Sequence, residues 1–470
     1  MSKRHNDQQD RVLRELVTTY EDSLRRGEQL FLEQEQFDDL LSYYYGQEDF
    51  EAALSVADLA VDRYRFTPDF YKWKALLHKI LAQETQALDA LDQLATYAPF
   101  DYEVQLLRLE VLVHFEHRDR SRELLEELLQ QSETDTQFSL LAYYDAVLLT
   151  QDGQYAKAFE ALCDALRRDP WQEIAYEELC HEPAFLTYYP KLVRLLKELS
   201  DQHPFNEMLW YYQGVIFDQL GDDEQALEAF DYARSLDDQH PDYIVDYADK
   251  LFDLEQYERA LQFYVRYHNL AEAEESYETF IRMGRCHQML DDLELALKAF
   301  HRAVELSPSS FDGYQHLGEC YALREHWGQA AYYYGQAVRQ TGHPPSCWLG
   351  LACCKAAISE TEEAEAAFVQ TIERAPEYSD AYITYALFLI DLGRERDALQ
   401  LVDDAQQEFM DAALAYGSVA VYLLCNRRRQ ALHLLTEALS SYFDEHHLLF
   451  DWSPELEDDS EIQSLISDWG

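Results

Sequence analysis

The chain has 470 residues, with 38 Lys or Arg against 90 Asp or Glu, giving a formal charge of −52. That excess of carboxylates argues against a phosphate backbone or an anionic membrane surface as the main partner, because both are held by Lys and Arg. At 47% hydrophobic and 14% aromatic the composition is that of a folded protein, and 15 Gly and 12 Pro are too few for many hairpins or glycine-rich phosphate loops, so it reads as mostly helix.

In chain order, residues 1–33 place Val12, Leu13, Leu16, Val17 and Leu24 at helical spacing, which predicts a capping helix. The polar start, Met1-Ser2-Lys3-Arg4-His5-Asn6-Asp7, has no apolar signal region. No stretch approaches the roughly 18 uncharged apolar residues of a spanning helix. Residues 34–206 predict helix–turn–helix units of uneven clarity. Tyr44 goes with Phe50-Glu51-Ala52-Ala53, Tyr71 with Ala75, Ala87 and Pro99, and Gly153-Gln154-Tyr155 with Ala158 and Ala165; Tyr176 to Leu199 make a further unit. Pro68, Pro99, Pro170 and Pro204 stand at unit ends, where a missing amide stops a helix. Regularity fails over 102–138, where Ser121 takes the place of an alanine and about three extra residues fall near 136–138.

From 207 to 446 the pattern is strongest. Trp210, Gly214, Phe217, Ala226, Phe230 and Ala233 recur as Phe280, Gly284, His287, Ala296, Phe300 and Ala303, then as Tyr314, Gly318, Tyr321, Ala330, Tyr334 and Ala337. Ala296, Ala330, Ala364 and Ala398 are 34 residues apart. Between them in clarity lies Asp242 to Glu274, with Ala248, Tyr257, Ala260 and Tyr264, followed by two extra residues at 275–276. Tyr416, Ala420, Ala431 and Ala438 close the series, and about twelve units of 34 residues fill 34–446. Residues 447–470, with Trp452-Ser453-Pro454, Ile462, Leu465, Ile466 and Trp469, predict a short amphipathic capping helix.

This pattern resembles the tetratricopeptide repeat, a helix–turn–helix unit of 34 residues, and the whole is similar to long bacterial proteins made of such repeats without an attached enzyme domain. The resemblance implies an all-α solenoid, a right-handed superhelix. Small residues at repeat positions 8 and 20 would let helices A and B approach, and aromatics at positions 4, 11 and 24 would fill the gaps. It also implies a concave face, lined by A helices, that holds a segment of another protein. Positions 2, 5, 9 and 12 face that concavity in the family. Here they are Met208, Tyr211, Val215 and Asp218; Asp242, Val245, Asp249 and Phe252; Glu278, Ile281, Arg285 and Gln288; Asp312, Gln315, Glu319 and Ala322. Further on, Ser346, Leu349, Cys353 and Ala356, then Asp380, Ile383, Leu387 and Ile390, make the same positions more apolar.

The expected partner is a protein or peptide carrying Lys or Arg beside apolar anchors, although solubility or a high-salt cytosol would explain the acidity equally well. The carboxylate clamp by which some relatives grip heat-shock chaperone tails needs Lys, Arg and Asn on successive A helices. The four Asn here (Asn6, Asn206, Asn269, Asn426) are not at those positions.

No constellation points to catalysis. Cys286, Cys320 and Cys354 recur at position 10, but stacked repeats hold equivalent positions roughly 10 Å apart, too far for shared metal ligation. They are expected as small buried fillers, as are most tyrosines as packing residues. His114 and His117 lie one helical turn apart without a third ligand at a defined spacing. The expectation is a non-enzymatic cytoplasmic scaffold with no cofactor or metal; a chaperone-like factor that shields several client segments is the alternative.

Overall fold

A computed structural model describes residues 2–26, 30–98, 101–270 and 275–469, with side chains from residue 12 onward. Pro99, Glu274, Met1 and Gly470, which entered the unit and terminus assignments, lie outside the described residues. Among the described residues every regular element is a helix, so the expected all-α repeat architecture is what the chain adopts. None of these helices is long and apolar enough to cross a membrane.

Helices come in pairs, an A helix and a B helix joined by a tight turn, as in Glu207–Gln219 with Asp223–Leu236 and Asp312–Leu323 with Trp327–Ala337. The turn has one recurring geometry. A left-handed residue follows the A helix at Glu48, Ala82, Glu116, Gly153, Gly221, Glu255, Asp291, Glu325, Ser359, Gly393 and Asn426. The amide three residues beyond the helix end then closes back on a carbonyl of the last turn, as from Asp222 to Phe217 at 2.9 Å and from His326 to Tyr321 at 2.9 Å. This closure satisfies carbonyls that a helix end leaves open. It survives at non-glycine positions because the packed helices on both sides fix the turn, at a local cost of order 1 kcal/mol.

Entry into the next A helix also recurs. The aromatic at position 4 turns its polar tip back to a carbonyl six residues earlier: Tyr71 to Arg65 at 3.1 Å, Tyr176 to Pro170 at 2.9 Å, Trp210 to Pro204 at 3.1 Å, Tyr314 to Pro308 at 3.2 Å and Tyr382 to Pro376 at 3.0 Å. Ring area goes into the seam while the donor is satisfied, the usual solution for a buried Tyr or Trp.

Two compact units divide the chain, residues 1–238 and 239–470. In the first, helix Ser2–Arg26 buries Val17 and Tyr20 against a core that includes Phe37, Leu40 and Leu41. Two repeats in this unit depart from the pattern. Helix Asp135–Gln151 is 17 residues long against 13 for Tyr102–His114, and its added first turn holds the extra residues near 136–138. Helix Glu173–His181 has 9 residues, and a 3-10 segment, Pro183–Tyr188, replaces the usual turn before Tyr189–Gln202. In the second unit the core runs through Phe300, Leu317, Tyr334, Phe368 and Ile383. Its chain end is capped by Leu448–Trp452, a 3-10 turn at Pro454–Asp458 and Ser460–Ser467, which bury Leu449, Leu456, Ile462 and Ile466. Arg428 ties this cap down through Asp459 and Glu461, at 2.8 Å each.

Candidate partner-binding faces

Helical periodicity brings positions 2, 5, 9 and 12 to one side of each A helix. In the first unit, helix Glu207–Gln219 presents Met208, Tyr211 and Val215 half-buried and Asp218 exposed. Tyr211 stands edge-on to Tyr212 at 5.1 Å and tilted on Phe230 at 5.9 Å, so much of its ring already serves packing.

In the second unit, Asp242 is exposed and Val245 half-buried on helix Pro241–Asp253. On the same helix, Asp249 is held by Arg282 at 3.2 Å and accepts the Tyr264 hydroxyl at 2.5 Å. Burial pushes its carboxyl above the usual range, and Tyr264 and Arg282 offset only part of that shift. Phe252 is buried beneath two guanidinium groups, Arg285 at 4.7 Å and Arg282 at 5.4 Å from the ring centre. Cation–π contacts of this kind contribute about 0.5–1 kcal/mol at exposed sites. Ile281 packs against the core around Phe300 and Leu317. Asp312 accepts the Ser310 hydroxyl at 2.9 Å. Glu319 accepts from Gln315 at 2.8 Å and pairs with His316 at 2.8 Å. Burial alone would raise its carboxyl; His316, Gln315 and the positive field of Arg285 together hold it below the ordinary value.

The structure therefore gathers Asp249, Phe252, Arg285 and Glu319 into one neighbourhood threaded by Arg282 and His316. Asp249 and Glu319 already have partners inside the chain, and Arg285 is exposed above Phe252.

A further part of the A-helix face lies outside the residues singled out from sequence. A cavity of about 600 Å³ opens among helices Gln34–Gly46, Pro68–Ile80 and Tyr102–His114. Asp38, Asp69 and Glu103 surround a single ammonium, Lys72, on walls of Trp73, Leu76 and Leu107. Lys72 reaches Glu103 at 2.8 Å and Asp69 at 3.5 Å. Asp38 is left with its carboxyl raised by burial and by neighbouring Asp69 and Asp39. Asp38 and Lys72 stand at repeat position 5, and Asp69 and Glu103 at position 2. The signal that finds them is the same register, carried back into the weaker repeats.

Among the described residues no group of three or more His, Cys, Asp or Glu side chains is placed to hold a metal ion. Cys286, Cys320 and Cys354 are buried, and burial pushes their thiols up to about 12, which leaves no reactive thiolate near neutral pH. His117 contacts Glu84 at 2.7 Å.

The sequence profile of the tetratricopeptide repeat family matches residues 193–243 and 350–413. No curated protein matches the chain. Among solved structures, the chain is similar to one of the APC/C hetero-tetramer Cut9–Hcn1, at 13% identity over 87% of this chain and 97% of that one, with a TM-score of 0.37. PilW, a type IV pilus biogenesis factor, matches at 17% identity over 52% of this chain and 96% of its own, with a TM-score of 0.37. YrrB, described as a repeat protein with an unusual peptide-binding site, matches at 18% identity over 40% and 95%, with a TM-score of 0.35.

Proposed function

We propose that the chain is a protein-interaction scaffold of the tetratricopeptide-repeat kind, and that its A-helix faces hold a protein or peptide segment carrying Lys or Arg beside apolar anchors. The observation that carries this reading is the cavity among Asp38, Asp69, Glu103, Lys72 and Trp73. One ammonium among three carboxylates leaves the site short of positive charge, while Trp73, Leu76 and Leu107 offer apolar contact. A basic side chain would supply the missing charge, and its flanking apolar residues would cover the walls. In the second unit, Asp242, Val245, Ile281, Arg285, Asp312 and the already paired Asp249 and Glu319 offer a more balanced surface. There, exposed Arg285 over Phe252 and the half-buried Val245 and Ile281 favour apolar and mixed contacts.

Selection of a random peptide library on the immobilised full chain tests the proposal. Enriched peptides should place Lys or Arg next to Leu, Ile or Phe. Their affinity should fall with added salt, because charges at the mouth of an open cavity are screened. Trp73→Ala and the pair Asp69→Asn, Glu103→Gln should each weaken them. Enrichment of acidic or uncharged peptides, or affinity indifferent to both changes, would refute the reading.

A further inference from the structure

A second cavity lies on another side of the repeats, within the unit of residues 1–238. It measures about 450 Å³ and sits among helices Arg118–Gln131, Asp135–Gln151 and Tyr155–Arg168. Positions 2, 5, 9 and 12 of the middle helix are Leu140, Tyr143, Val147 and Thr150, and none of them lines it. The lining from that helix is Phe138, Leu141, Ala142 and Asp145, spaced to share one different face.

Two departures from the repeat account for the opening. Phe138 belongs to the added first turn of helix Asp135–Gln151, which carries that ring beyond the length of an ordinary A helix. Asp145 occupies position 7, which is Met283, Leu317 and Leu351 in three later units but Lys74 and Arg108 in the two units just before it, where each cation is paired, Lys74 with Asp58 at 2.5 Å and Arg108 with Asp92 at 2.7 Å. Leu317 is fully buried in its seam. A carboxylate at this position is shorter and polar, so the space an apolar side chain would fill stays open.

The charges around Asp145 are already committed elsewhere. Arg122 contacts Asp152, which Arg118 also reaches at 3.3 Å. Arg168 stands 3.7 Å from Asp135, with its guanidinium 5.2 Å from the centre of the Phe138 ring. At the rim, Asp164 pairs with Arg167 at 2.5 Å, and Glu126 is exposed. Asp145 itself is half-buried, and no hydrogen bond or ion pair reaches it among the described residues. Burial pushes its carboxyl above the ordinary value, and the Arg122 field draws it only part of the way back. A buried charge without a partner is costly, and the charged side chains at this position in the two preceding units are paired, so the unpaired Asp145 marks a place for a cation.

We propose that this cavity binds an arginine or lysine side chain of a partner protein, with Asp145 as counter-ion to the cationic head. Leu125, Phe138 and Leu141 form the apolar wall for the aliphatic stem, in the manner of a long basic side chain laid along apolar surface. The volume suits one such side chain and its neighbours, at the small end of ligand sites of roughly 300–1,000 Å³.

The test uses the full-length chain carrying Asp69→Asn and Glu103→Gln, which removes the acidic A-helix site proposed above, and two probe peptides, acetyl-Leu-Arg-Leu-amide and its neutral counterpart with citrulline in place of arginine. Calorimetric titration of this background should show the arginine peptide binding roughly tenfold or more tighter, as expected for a charge-assisted hydrogen bond in a partly dry site. Adding Asp145→Asn, which is close to isosteric and should keep the fold, as thermal melting would verify, should erase that preference. Adding Asp145→Leu instead should fill the seam, raise the melting temperature and abolish arginine binding there. Equal affinity for the two peptides in this background overturns the proposal. So does a preference that survives the addition of Asp145→Asn, which would place the cation elsewhere on the chain.

Discussion

The ring of Tyr334 lies so close over Gly318 that a β-carbon built on the glycine would stand 2.9 Å from ring carbon Cδ2. On the other side, a β-carbon on Gly350, in the next A helix, would stand 2.5 Å from Cζ of the same ring. Tyr334 is thus clamped between two repeats, and the missing side chains are what admit it. Gly318→Ala or Gly350→Ala must displace the ring, and each should destabilise the protein by about 1–3 kcal/mol, the usual range for overpacking. Gly335, on the B helix Trp327–Ala337 that carries Tyr334, has nothing within 4 Å of its would-be β-carbon. Gly335→Ala should instead gain about 0.5–1 kcal/mol from helix propensity. Urea unfolding midpoints of the three variants check the contrast, and a similar loss in all three would remove the steric explanation.

Arg282 and Asp249 make the second prediction. Their side chains are 34% and 30% exposed, so the pair is neither a free surface bridge nor a sealed one. Arg282→Met should cost about 1–2 kcal/mol, above an exposed pair and below a fully buried one. Most of that loss should come from stranding Asp249, so adding Asp249→Asn to Arg282→Met should recover part of it. A double-mutant cycle reads this coupling directly. Additive losses would show that the two side chains do not act as a pair.

Packing positions were legible in the sequence because each repeat must bury the same contacts. Gly318 and Tyr334 stand at positions 8 and 24, and the 34-residue spacing of Ala330 and its equivalents follows from stacking alike units. The turns were not legible from glycine. The left-handed residue is Glu48, Glu116, Glu255 or Ser359 as readily as Gly221, because packing on both sides imposes the conformation. The candidate face was legible as a set of positions, but its charge balance was not. Arg282, at position 6, reaches a carboxylate at position 9 of the preceding repeat, a link that a tally of positions 2, 5, 9 and 12 cannot contain. Asp38, Asp69, Lys72 and Glu103 were in the right register, but in repeats whose weaker small-residue pattern gave less reason to count outward.

Two buried serines in consecutive repeats should respond oppositely to the same substitution. Ser121, fully buried where an alanine is expected, has no partner for its hydroxyl among the described residues. Ser121→Ala should therefore stabilise the protein by about 1 kcal/mol by removing an unsatisfied polar atom. Ser139 is equally buried, but it donates to the Ala165 carbonyl at 2.9 Å. Ser139→Ala should cost about 0.5–1 kcal/mol, the net worth of the lost hydroxyl bond, since the Ala165 carbonyl keeps the Asp169 amide at 2.9 Å. Thermal melts of both variants decide the matter, and a loss in Ser121→Ala would mean that its hydroxyl has found a bond in solution.

Asp145 gives a pH dependence whose sign is fixed by its surroundings. Arg122 and Glu126 face it from one neighbouring helix, and Asp164 and Arg168 from the other. Burial outweighs the pull of Arg122, so the folded carboxyl titrates above its ordinary 3.8. Between 3.8 and that higher folded value, the native state keeps the proton while the unfolded chain has lost it. Stability from this group is therefore fully present below 3.8 and is lost as pH rises through the folded value. Asp145→Asn has no such titration. Its melting temperature relative to wild type should climb as pH is raised above the ordinary carboxyl value and level off once the folded carboxyl has lost its proton, at constant ionic strength and without added ligand. A difference that stays flat, or that narrows with rising pH, would mean that water or a swung Arg122 solvates the carboxylate in the free protein. A saturating basic ligand should flatten the wild-type loss at the high-pH end, because an ion pair formed there lowers the folded value back toward the ordinary one.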